Sequence, residues 1–257
     1  MSIRLIADVH SALNGLAGLA QPGDSLIILG DVLGLIDWVD FSGILTEALG
    51  KEYLAQAIQE AVKLGPGGLK DLKDRLLSEG GERYPELKEA VERDYELFRR
   101  AVDEAGYRAY VLYGNSDIPW AMREMLEGSP NAVFAEGVYE LEGERFGMVP
   151  GAITSPWDMP GEVEDEEFGR RLGALGEVDV LCTHVPPLVP EATFDIVANR
   201  PQTGSRALLQ YIEETQPQFA YHGHVHQPAQ REILIGRTRV INVAYYKRTG
   251  YVHTHAT

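Results

Sequence analysis

Short apolar runs alternate with stretches of helical spacing along much of the chain. Residues 3–8 read IRLIAD and residues 25–31 read SLIILGD, and both runs have the length and the branched apolar residues of a buried strand. Similar runs at 108–112 and 178–184 predict two more strands. Strands separated by helical patterns are typical of a layered α/β fold.

The alternation stops between the second and third predicted strands. Apolar residues recur at helical spacing over residues 45–62, which predicts one long helix that ends at the Gly-Pro-Gly-Gly sequence of residues 65–68. A short Leu-rich piece at 69–77 precedes a second helical stripe at 87–102, in which Leu97 is one of the apolar positions.

We interpret residues 1–257 as one domain with a helical insertion at about 41–105. The insertion begins directly after the second predicted strand and ends directly before the third, so both of its ends adjoin the same edge of the sheet. We expect it to border the candidate site as a lid, or to form a subunit contact and hence a homo-oligomer. A solvated helical ornament is the alternative.

The second half of the chain is predicted to be richer in strands. Residues 133–151 indicate one or two hairpins, with turns at residues 136–137 and 142–143. The remaining predicted elements are a Pro-rich acidic loop at 154–168, helices near 168–175 and at 205–217 with Ser205 as N-cap, and a strand-rich tail at 219–255 with turns at Gly236 and Gly250.

Composition narrows the classes of partner. The 257 residues are 44% hydrophobic, which suffices for a sizeable core, and the formal net charge is -16. An acidic surface repels polyanions, so bulk nucleic acid is a disfavoured partner and a nuclease a disfavoured function. Because no run approaches the roughly 20 apolar residues of a membrane span and no signal-peptide layout is present, we expect a cytoplasmic protein without a membrane partner. Cys182 is the single cysteine, so any metal must be held by nitrogen and oxygen ligands.

Polar groups that can bind a metal follow the predicted strands. They are two aspartates, one asparagine and four histidines: Asp8, His10, Asp31, Asn115, His184, His224 and His226. All of them lie at carboxyl ends of predicted strands, where parallel α/β sheets place their ligand crevices. The set contains enough oxygen and nitrogen donors for two metal ions that share one carboxylate.

Each of these residues alone also has an interpretation without function. A lone Asp-x-His is usually chance, a Gly-Asp after a strand is usually a turn or a helix cap, and a lone histidine is usually packed in a core. Five strand ends that all stop on metal-compatible groups make coincidence the weaker interpretation. Outside the set, we interpret His222 as a packing residue or a support for the ligands, and His253 and His255 as surface residues.

The order of these residues along the chain resembles a known signature. The motifs are Asp8-Val9-His10, Gly30-Asp31, Gly114-Asn115, His184 and Gly223-His224-Val225-His226. They are similar to those of the calcineurin-like metallophosphoesterases. Segments around His184-Val185-Pro186-Pro187, Gly204-Ser205 and Trp157 also resemble, more weakly, the small single-domain bacterial and archaeal members. The resemblance spans residues 8–226 apart from the helical insertion, and it implies a four-layer αββα sandwich of two mixed β-sheets with flanking helices.

The resemblance also implies the ligands of two metal ions. One ion would be held by Asp8, His10 and His226, the other by Asn115, His184 and His224, and Asp31 would bridge both. Two divalent ions about 3.5–4 Å apart lower the pKa of a shared water and bind the oxygens of an in-line displacement at phosphorus. They also offset the acidic charge locally, so a small phosphate ester can bind. Mn²⁺, Fe, Zn²⁺, Ni²⁺ and Co²⁺ all suit these ligands, and we favour Mn²⁺.

The implied activity is hydrolysis of small or nucleotide-like phosphate esters by a metal-bridging hydroxide, with four catalytic residues: Asp31, Asn115, Asp117 and His224. One position departs from the family pattern, because many members have a histidine, which assists the leaving group, where this chain has Ser116. General acid help is worth about 10²- to 10⁴-fold. We therefore favour a phosphodiesterase whose substrates have a good leaving oxygen, or one that a metal or Asp117 assists.

Two alternatives stay open. A phosphomonoesterase or a protein phosphatase would use the same centre, although a protein phosphatase would normally have the missing histidine. A non-catalytic binding module on the same fold is the second alternative. The intact ligand set argues against the binding module, because a chain that had lost catalysis would be expected to lose at least one of seven costly polar groups.

Overall fold

Two large β-sheets, two small two-stranded sheets and nine α-helices make up residues 2–37 and 40–256, the part of the chain that the computed structural model describes. The strands are β1 (Ile3–Ile6), β2 (Ser25–Leu29), β3 (Arg108–Leu112), β4 (Ala132–Phe134), β5 (Gly137–Leu141), β6 (Glu144–Val149), β7 (Ala152–Ile153), β8 (Glu162–Val163), β9 (Val180–Thr183), β10 (Phe194–Asp195), β11 (Arg200–Pro201), β12 (Phe219–His222), β13 (Glu232–Ile235), β14 (Thr238–Asn242) and β15 (His253–Thr254). The helices are α1 (Ile44–Leu49), α2 (Lys51–Lys63), α3 (Pro66–Leu77), α4 (Tyr84–Ala105), α5 (Pro119–Leu126), α6 (Asp165–Leu175), α7 (Pro190–Thr193), α8 (Arg206–Thr215) and α9 (Tyr246–Thr249). None of the helices in these residues has the length and apolar content needed to cross a membrane.

Both large sheets are mixed. The first has the order β15-β1-β2-β3-β4, in which β1 to β4 are parallel and β15 is antiparallel to β1. The second has the order β13-β14-β12-β9-β6-β5, in which the four middle strands are parallel and the two edge strands are antiparallel to their neighbours. The expected α/β class is confirmed.

Successive side chains of β1 point to opposite faces of the first sheet, and each face packs against a different layer of the fold. Leu5 packs in the apolar layer between the two sheets, together with Phe146 and Tyr221 of the second sheet. Ile6 points to the opposite face and belongs to the cluster that joins the first sheet to its helices. The outer face of the second sheet packs against α6 and α8, for example through Phe168. The result is the αββα sandwich that the sequence predicts.

Two predictions about the helices before β3 are wrong: the single long helix, and the placement of Val62 and Leu97 on buried apolar stripes. The single long helix expected at residues 45–62 is divided into α1 and α2 by Gly50, which has a φ of 85°. The Gly-Pro-Gly-Gly sequence ends α2 but also starts α3, because Pro66 lies in the first helical turn, where its missing N–H costs nothing. Val62 and Leu97 were assigned to apolar stripes, yet their exposed fractions are 57% and 47%.

Helix α4 belongs to the core of the domain. The strands β2 and β3 are adjacent and parallel, and such strands need a crossover connection, which is usually helical. Helix α4 supplies it and buries Tyr95, Phe98 and Val102 against the first sheet. The part of residues 41–105 that is additional to this crossover is therefore α1 to α3, for which a lid or a subunit contact stays a prediction.

One of the two predicted hairpins is present. Strands β5 and β6 form it, with the turn at residues 142–143. No hairpin forms at residues 136–137, because β4 pairs with β3 in the first sheet and β5 pairs with β6 in the second. Gly236 lies in the turn between β13 and β14 as expected, whereas Gly250 ends α9. Ser205 caps α8 as expected, since its side chain accepts a hydrogen bond from the Leu208 N–H.

The expectation that His255 lies on the surface is wrong. This side chain is buried, with its Nδ1 2.8 Å from the Tyr221 hydroxyl and its Nε2 2.8 Å from Glu144 Oε2. Because His255 follows β15 of the first sheet whereas Tyr221 and Glu144 belong to β12 and β6, the imidazole joins the two sheets. The terminal strand therefore contributes to the packing of the sandwich.

Candidate metal centre

The loops that carry the candidate ligands are held together at one edge of the two sheets. They follow β1, β2 and β3 of the first sheet and β9 and β12 of the second. Within the first sheet, the Asp8 N–H donates to the Gly30 carbonyl at 3.1 Å and the His10 N–H donates to the Asp31 carbonyl at 2.9 Å. Between the sheets, the His224 N–H donates to the Asp8 carboxylate at 3.2 Å. The fold thus brings the ends of all five strands to one place.

Four of the seven candidate ligands have a left-handed backbone. The φ angles are 58° for Asp8, 43° for His10, 53° for Asp31 and 66° for His224. This conformation is uncommon for residues other than glycine and costs about 1–3 kcal/mol each where the backbone is strained. Such costs cluster at functional sites, where the surrounding structure fixes side chains in one orientation. The four residues therefore have the backbone expected of a functional site.

Asp8, His10 and His226 form the first group, and their ligand atoms lie within 4.8 Å of one another. The His226 Nε2 is 3.5 Å from Asp8 Oδ1 and 3.2 Å from the His10 Nε2. The other ring nitrogen of His10, Nδ1, lies 3.1 Å from the Leu33 carbonyl. A proton on Nδ1 would serve that carbonyl, which leaves the Nε2 lone pair directed at the group.

The second group contains Asn115, His184 and His224. The Asn115 Oδ1 lies 2.8 Å from the His224 Nδ1 and 3.2 Å from the His184 Nε2. The His184 Nδ1 is 2.7 Å from the Leu29 carbonyl, so its Nε2 is the nitrogen free to bind a cation. Asp8 and Asp31 also lie within 4.8 Å of the His184 nitrogen, so the structure places Asp8 near both groups, whereas the resemblance assigns it to the first alone.

Asp31 lies between the two groups. Its Oδ2 is 3.6 Å from the His10 Nε2 and its Oδ1 is 3.6 Å from the His184 Nε2. Each carboxylate oxygen thus faces one group, which is the arrangement that the predicted bridging role requires. Asp31 is buried, so its charge is not screened by water.

The donor set fits divalent cations. The buried Nε2 of His224 has no hydrogen-bond partner among the described residues, and the Nε2 atoms of His10 and His226 face each other. Buried polar atoms are rarely left without a partner, and a cation between the His10 and His226 nitrogens would give a partner to both. Imidazole nitrogens and carboxylate oxygens are ligands of Mn²⁺, Fe, Zn²⁺, Ni²⁺ and Co²⁺.

Electrostatics favour the metal-binding protonation states of Asp8, His10 and His224. Burial alone would lower the pKa of His226, but the hydrogen bond and the charge of Asp8 outweigh it and raise that pKa. Burial, with the nearby His184, lowers the pKa of His224 to about 3. Burial also lowers the pKa of His10 despite the Asp31 carboxylate, so both imidazoles are neutral at pH 7. Burial alone would raise the pKa of Asp8, but the hydrogen bond and the charge of His226 outweigh it and hold that pKa below its usual range. Asp8 is therefore ionised.

Four hydrogen bonds hold the carboxylate of Asp117, for which a catalytic role stays a prediction. Its buried carboxylate accepts hydrogen bonds from the N–H groups of Val32 (3.1 Å), Leu33 (3.1 Å) and Gly114 (2.9 Å) and from the Tyr95 hydroxyl (3.1 Å). Burial, followed by the charge of Asp31, raises the pKa of Asp117 to about 7. Three of the four donors are backbone N–H groups of two ligand loops, an arrangement that favours a role for this carboxylate in positioning those loops.

Ser116 contacts Asp31. The Ser116 N–H donates to Asp31 Oδ1 at 2.8 Å, and the Ser116 hydroxyl donates to Asp31 Oδ2 at 3.1 Å. The residue that departs from the family pattern therefore orients the carboxylate between the two groups. Sequence reasoning identified the missing histidine but not this contact, which no local pattern indicates.

Gly114 is required by the close approach of the centre to the backbone. A Cβ atom at this position would lie 2.6 Å from the His184 Nε2 and still nearer to the Asp31 carboxylate. Real Cβ atoms do not approach other heavy atoms so closely, and both neighbours are held by their own hydrogen bonds. The glycine of the Gly-Asn pair is therefore required by the lack of space for a side chain at this position.

Tyr245 is a neighbour of the site that the sequence did not indicate. Its ring stacks on His226 with centroids 3.9 Å apart and planes inclined by 10°, and it contacts the His10 ring edge-on at 5.8 Å. His222, by contrast, is buried with its Nδ1 3.1 Å from the Gly223 carbonyl, in line with a packing role. Tyr245 therefore fixes the ring plane of His226, although its position in the tail carries no motif.

Comparison with known proteins identifies the fold but does not assign the chain to a family. No protein-family model matches the chain. Among curated proteins, an alanine–tRNA ligase from Ralstonia nicotianae is 24% identical over 214 residues, in an alignment that covers 78% of this chain and 22% of that protein. The chain thus spans less than a quarter of that relative's length.

Two solved structures share the architecture over almost their whole length. One is 15% identical, with a TM-score of 0.61 and coverage of 99% of this chain and 98% of the other. The second, TT1561 of Thermus thermophilus, is 14% identical, with a TM-score of 0.58 and coverage of 99% and 97%. At such identities the likeness shows that these chains have the same fold.

Proposed function

We propose that this chain is a metal-dependent phosphoric ester hydrolase, and more specifically a phosphodiesterase that acts on small or nucleotide-like esters. The observation that carries the proposal is the convergence of the seven candidate ligands in two groups, with Asp31 between them and its two carboxylate oxygens facing different groups. The order of the same residues in the calcineurin-like metallophosphoesterases supports it.

The candidate ligands would bind two cations, and other residues would orient the ligands. Asp8, His10 and His226 would hold one divalent cation, Asn115, His184 and His224 a second, and Asp31 would contact both. Such cations supply an activated water as the nucleophile and neutralise charge at the phosphoryl group. The Leu33 and Leu29 carbonyls keep the His10 and His184 rings in the tautomer that presents Nε2. Ser116 keeps the Asp31 carboxylate in one orientation.

A small diester is the substrate that agrees best with the net negative charge of the chain and with the absence of a general acid at Ser116. A net charge of -16 repels extended polyanions, whereas a small monoanionic ester meets only the local field of the centre. Ser116 is bound to Asp31 and Asp117 to the backbone, so neither is placed to protonate a poor leaving group. A monoesterase or a protein phosphatase remains the alternative reaction on the same centre. Of the suitable metals we favour Mn²⁺.

The proposal is tested with metal-depleted protein and two model substrates. We expect no turnover until Mn²⁺ is added, then hydrolysis of bis-p-nitrophenyl phosphate with a kcat/KM at least about tenfold above that for p-nitrophenyl phosphate. His253→Ala, at a partly buried histidine outside the centre, is the control and should match the wild type. A preference for the monoester would support the alternative, and absence of metal-dependent turnover on both would favour a binding module.

A further inference from the structure

Two consecutive residues of α4 reach the loops that carry the candidate ligands. The Tyr95 side chain is fully buried, and its hydroxyl donates to Asp117 Oδ1 at 3.1 Å and accepts from the Ile118 N–H at 2.9 Å. The neighbouring Asp94 accepts a close hydrogen bond from the Ser11 hydroxyl. Both contacts join residues far apart in sequence, so the fold and not the local chain creates them.

The Tyr95 contact extends to two ligand loops through Asp117. One end of the Asp117 carboxylate binds the N–H groups of Val32 and Leu33, which directly follow Asp31. The other end binds the Gly114 N–H, which directly precedes Asn115. The spacing between the loops after β2 and β3 is therefore set by one carboxylate, and that carboxylate is held from outside the site by the Tyr95 hydroxyl.

The Asp94 contact extends to the third loop of the first sheet. The Ser11 hydroxyl that donates to Asp94 also accepts from the Gly34 N–H at 2.8 Å. Ser11 directly follows His10 and shares its left-handed backbone, with a φ of 62°. A residue in this conformation needs support from its surroundings. Helix α4 thus bonds directly to the loops after β1 and β3, and it reaches the loop after β2 through Ser11 and Asp117.

We propose that Tyr95 and Asp94 are positioning residues of the metal centre: helix α4 fixes the relative positions of the His10, Asp31 and Asn115 loops. This inference rests on the proposed metal centre and adds a function for the crossover helix. Partners beyond the ligands typically change metal affinity or activity about 10- to 100-fold when they are removed. Deleting only the Tyr95 hydroxyl leaves the aromatic packing in place, so its effect should appear at the metals.

The test compares two buried tyrosines in the full-length chain. Tyr107 matches Tyr95 in burial, and its hydroxyl donates to the Leu16 carbonyl at 2.8 Å, six residues after His10 and without a hydrogen bond to a candidate ligand or to Asp117 in the described residues. We expect Tyr95→Phe to raise the Kd for Mn²⁺, measured by isothermal titration of the metal-free protein, about tenfold. Tyr107→Phe should leave that Kd within about twofold of wild type, although it also loses a buried hydrogen bond. Because Tyr95→Phe loses two hydrogen bonds, it should lower the Tm of the metal-free protein more than Tyr107→Phe does.

Each outcome of the Mn²⁺ titrations either supports or overturns the positioning role of Tyr95 and Asp94. An unchanged Kd for Mn²⁺ in Tyr95→Phe, or an equal change in Tyr107→Phe, would overturn it while leaving the metal centre in place. If Tyr95→Phe does not fold, Asp94→Ala takes its place, and it is expected to weaken Mn²⁺ binding in the same direction. If the wild-type chain binds no Mn²⁺, the proposed function itself fails, which the same titration distinguishes from failure of the positioning role.

Discussion

Asp31→Asn should weaken both metal groups at once. The substitution keeps the shape of the side chain but removes the charge that faces the Nε2 atoms of His10 and His184 at 3.6 Å. It also places an amide NH₂ against a donor, since Ser116 donates to both carboxylate oxygens. Removing one member of a buried charged set costs about 3–5 kcal/mol. We expect Mn²⁺ affinity and kcat/KM to fall about 10²- to 10⁴-fold.

The measurement is metal content per chain after gel filtration, together with turnover of bis-p-nitrophenyl phosphate. His222→Ala is the control, because His222 is also buried at the end of β12 but bonds to the Gly223 carbonyl and has no contact with Asp31 in the described residues. It should lose stability and little activity. An Asp31→Asn protein that kept two metals per chain and near-normal turnover would show that Asp31 is not shared.

Hydrolysis by the wild type should depend steeply on the pKa of the leaving group. With Ser116 bound to Asp31 and Asp117 bound to backbone N–H groups, neither residue is placed to protonate the leaving oxygen. General acid help is worth about 10²- to 10⁴-fold, and its absence penalises poor leaving groups most. Aryl diesters should therefore react faster than alkyl diesters by at least that factor. The measurement is the slope of log kcat/KM against leaving-group pKa.

Two substitutions at Ser116 separate its effects. Ser116→Ala removes the hydroxyl contact with Asp31 without adding an acid, so rates should fall by a similar factor for every ester. Ser116→His also loses that contact but introduces a group that can donate a proton, and it should raise the rates of alkyl esters relative to aryl esters. A shallow slope in the wild type would mean that another group already supplies the proton.

The candidate ligands could be located in the sequence because each stands at the end of a recognisable strand. Apolar runs locate β1, β2, β3 and β9, and parallel strands bring their carboxyl ends to one edge whatever the helices between them do. The same reasoning cannot find Tyr95 or Tyr245. Their contacts with Asp117 and His226 arise from packing between distant segments, and no spacing in the sequence marks them.

The errors in the fold have related causes. Residues 132–141 carry the pattern of a hairpin, and only the choice of pairing partner places β4 and β5 in different sheets. Helical spacing is continuous through Gly50, so periodicity could not show that the chain turns there. The three backbone partners of Asp117 become visible only when β2 and β3 lie side by side, so the sequence could not predict them.

Anomalous diffraction from crystals grown with Mn²⁺, recorded near the manganese absorption edge, tests the dinuclear centre most directly. We expect two peaks about 3.5–4 Å apart, one beside Asp8, His10 and His226 and the other beside Asn115, His184 and His224, with Asp31 in contact with both. A map with no peak at these residues, or with manganese bound elsewhere on the chain, would contradict the account.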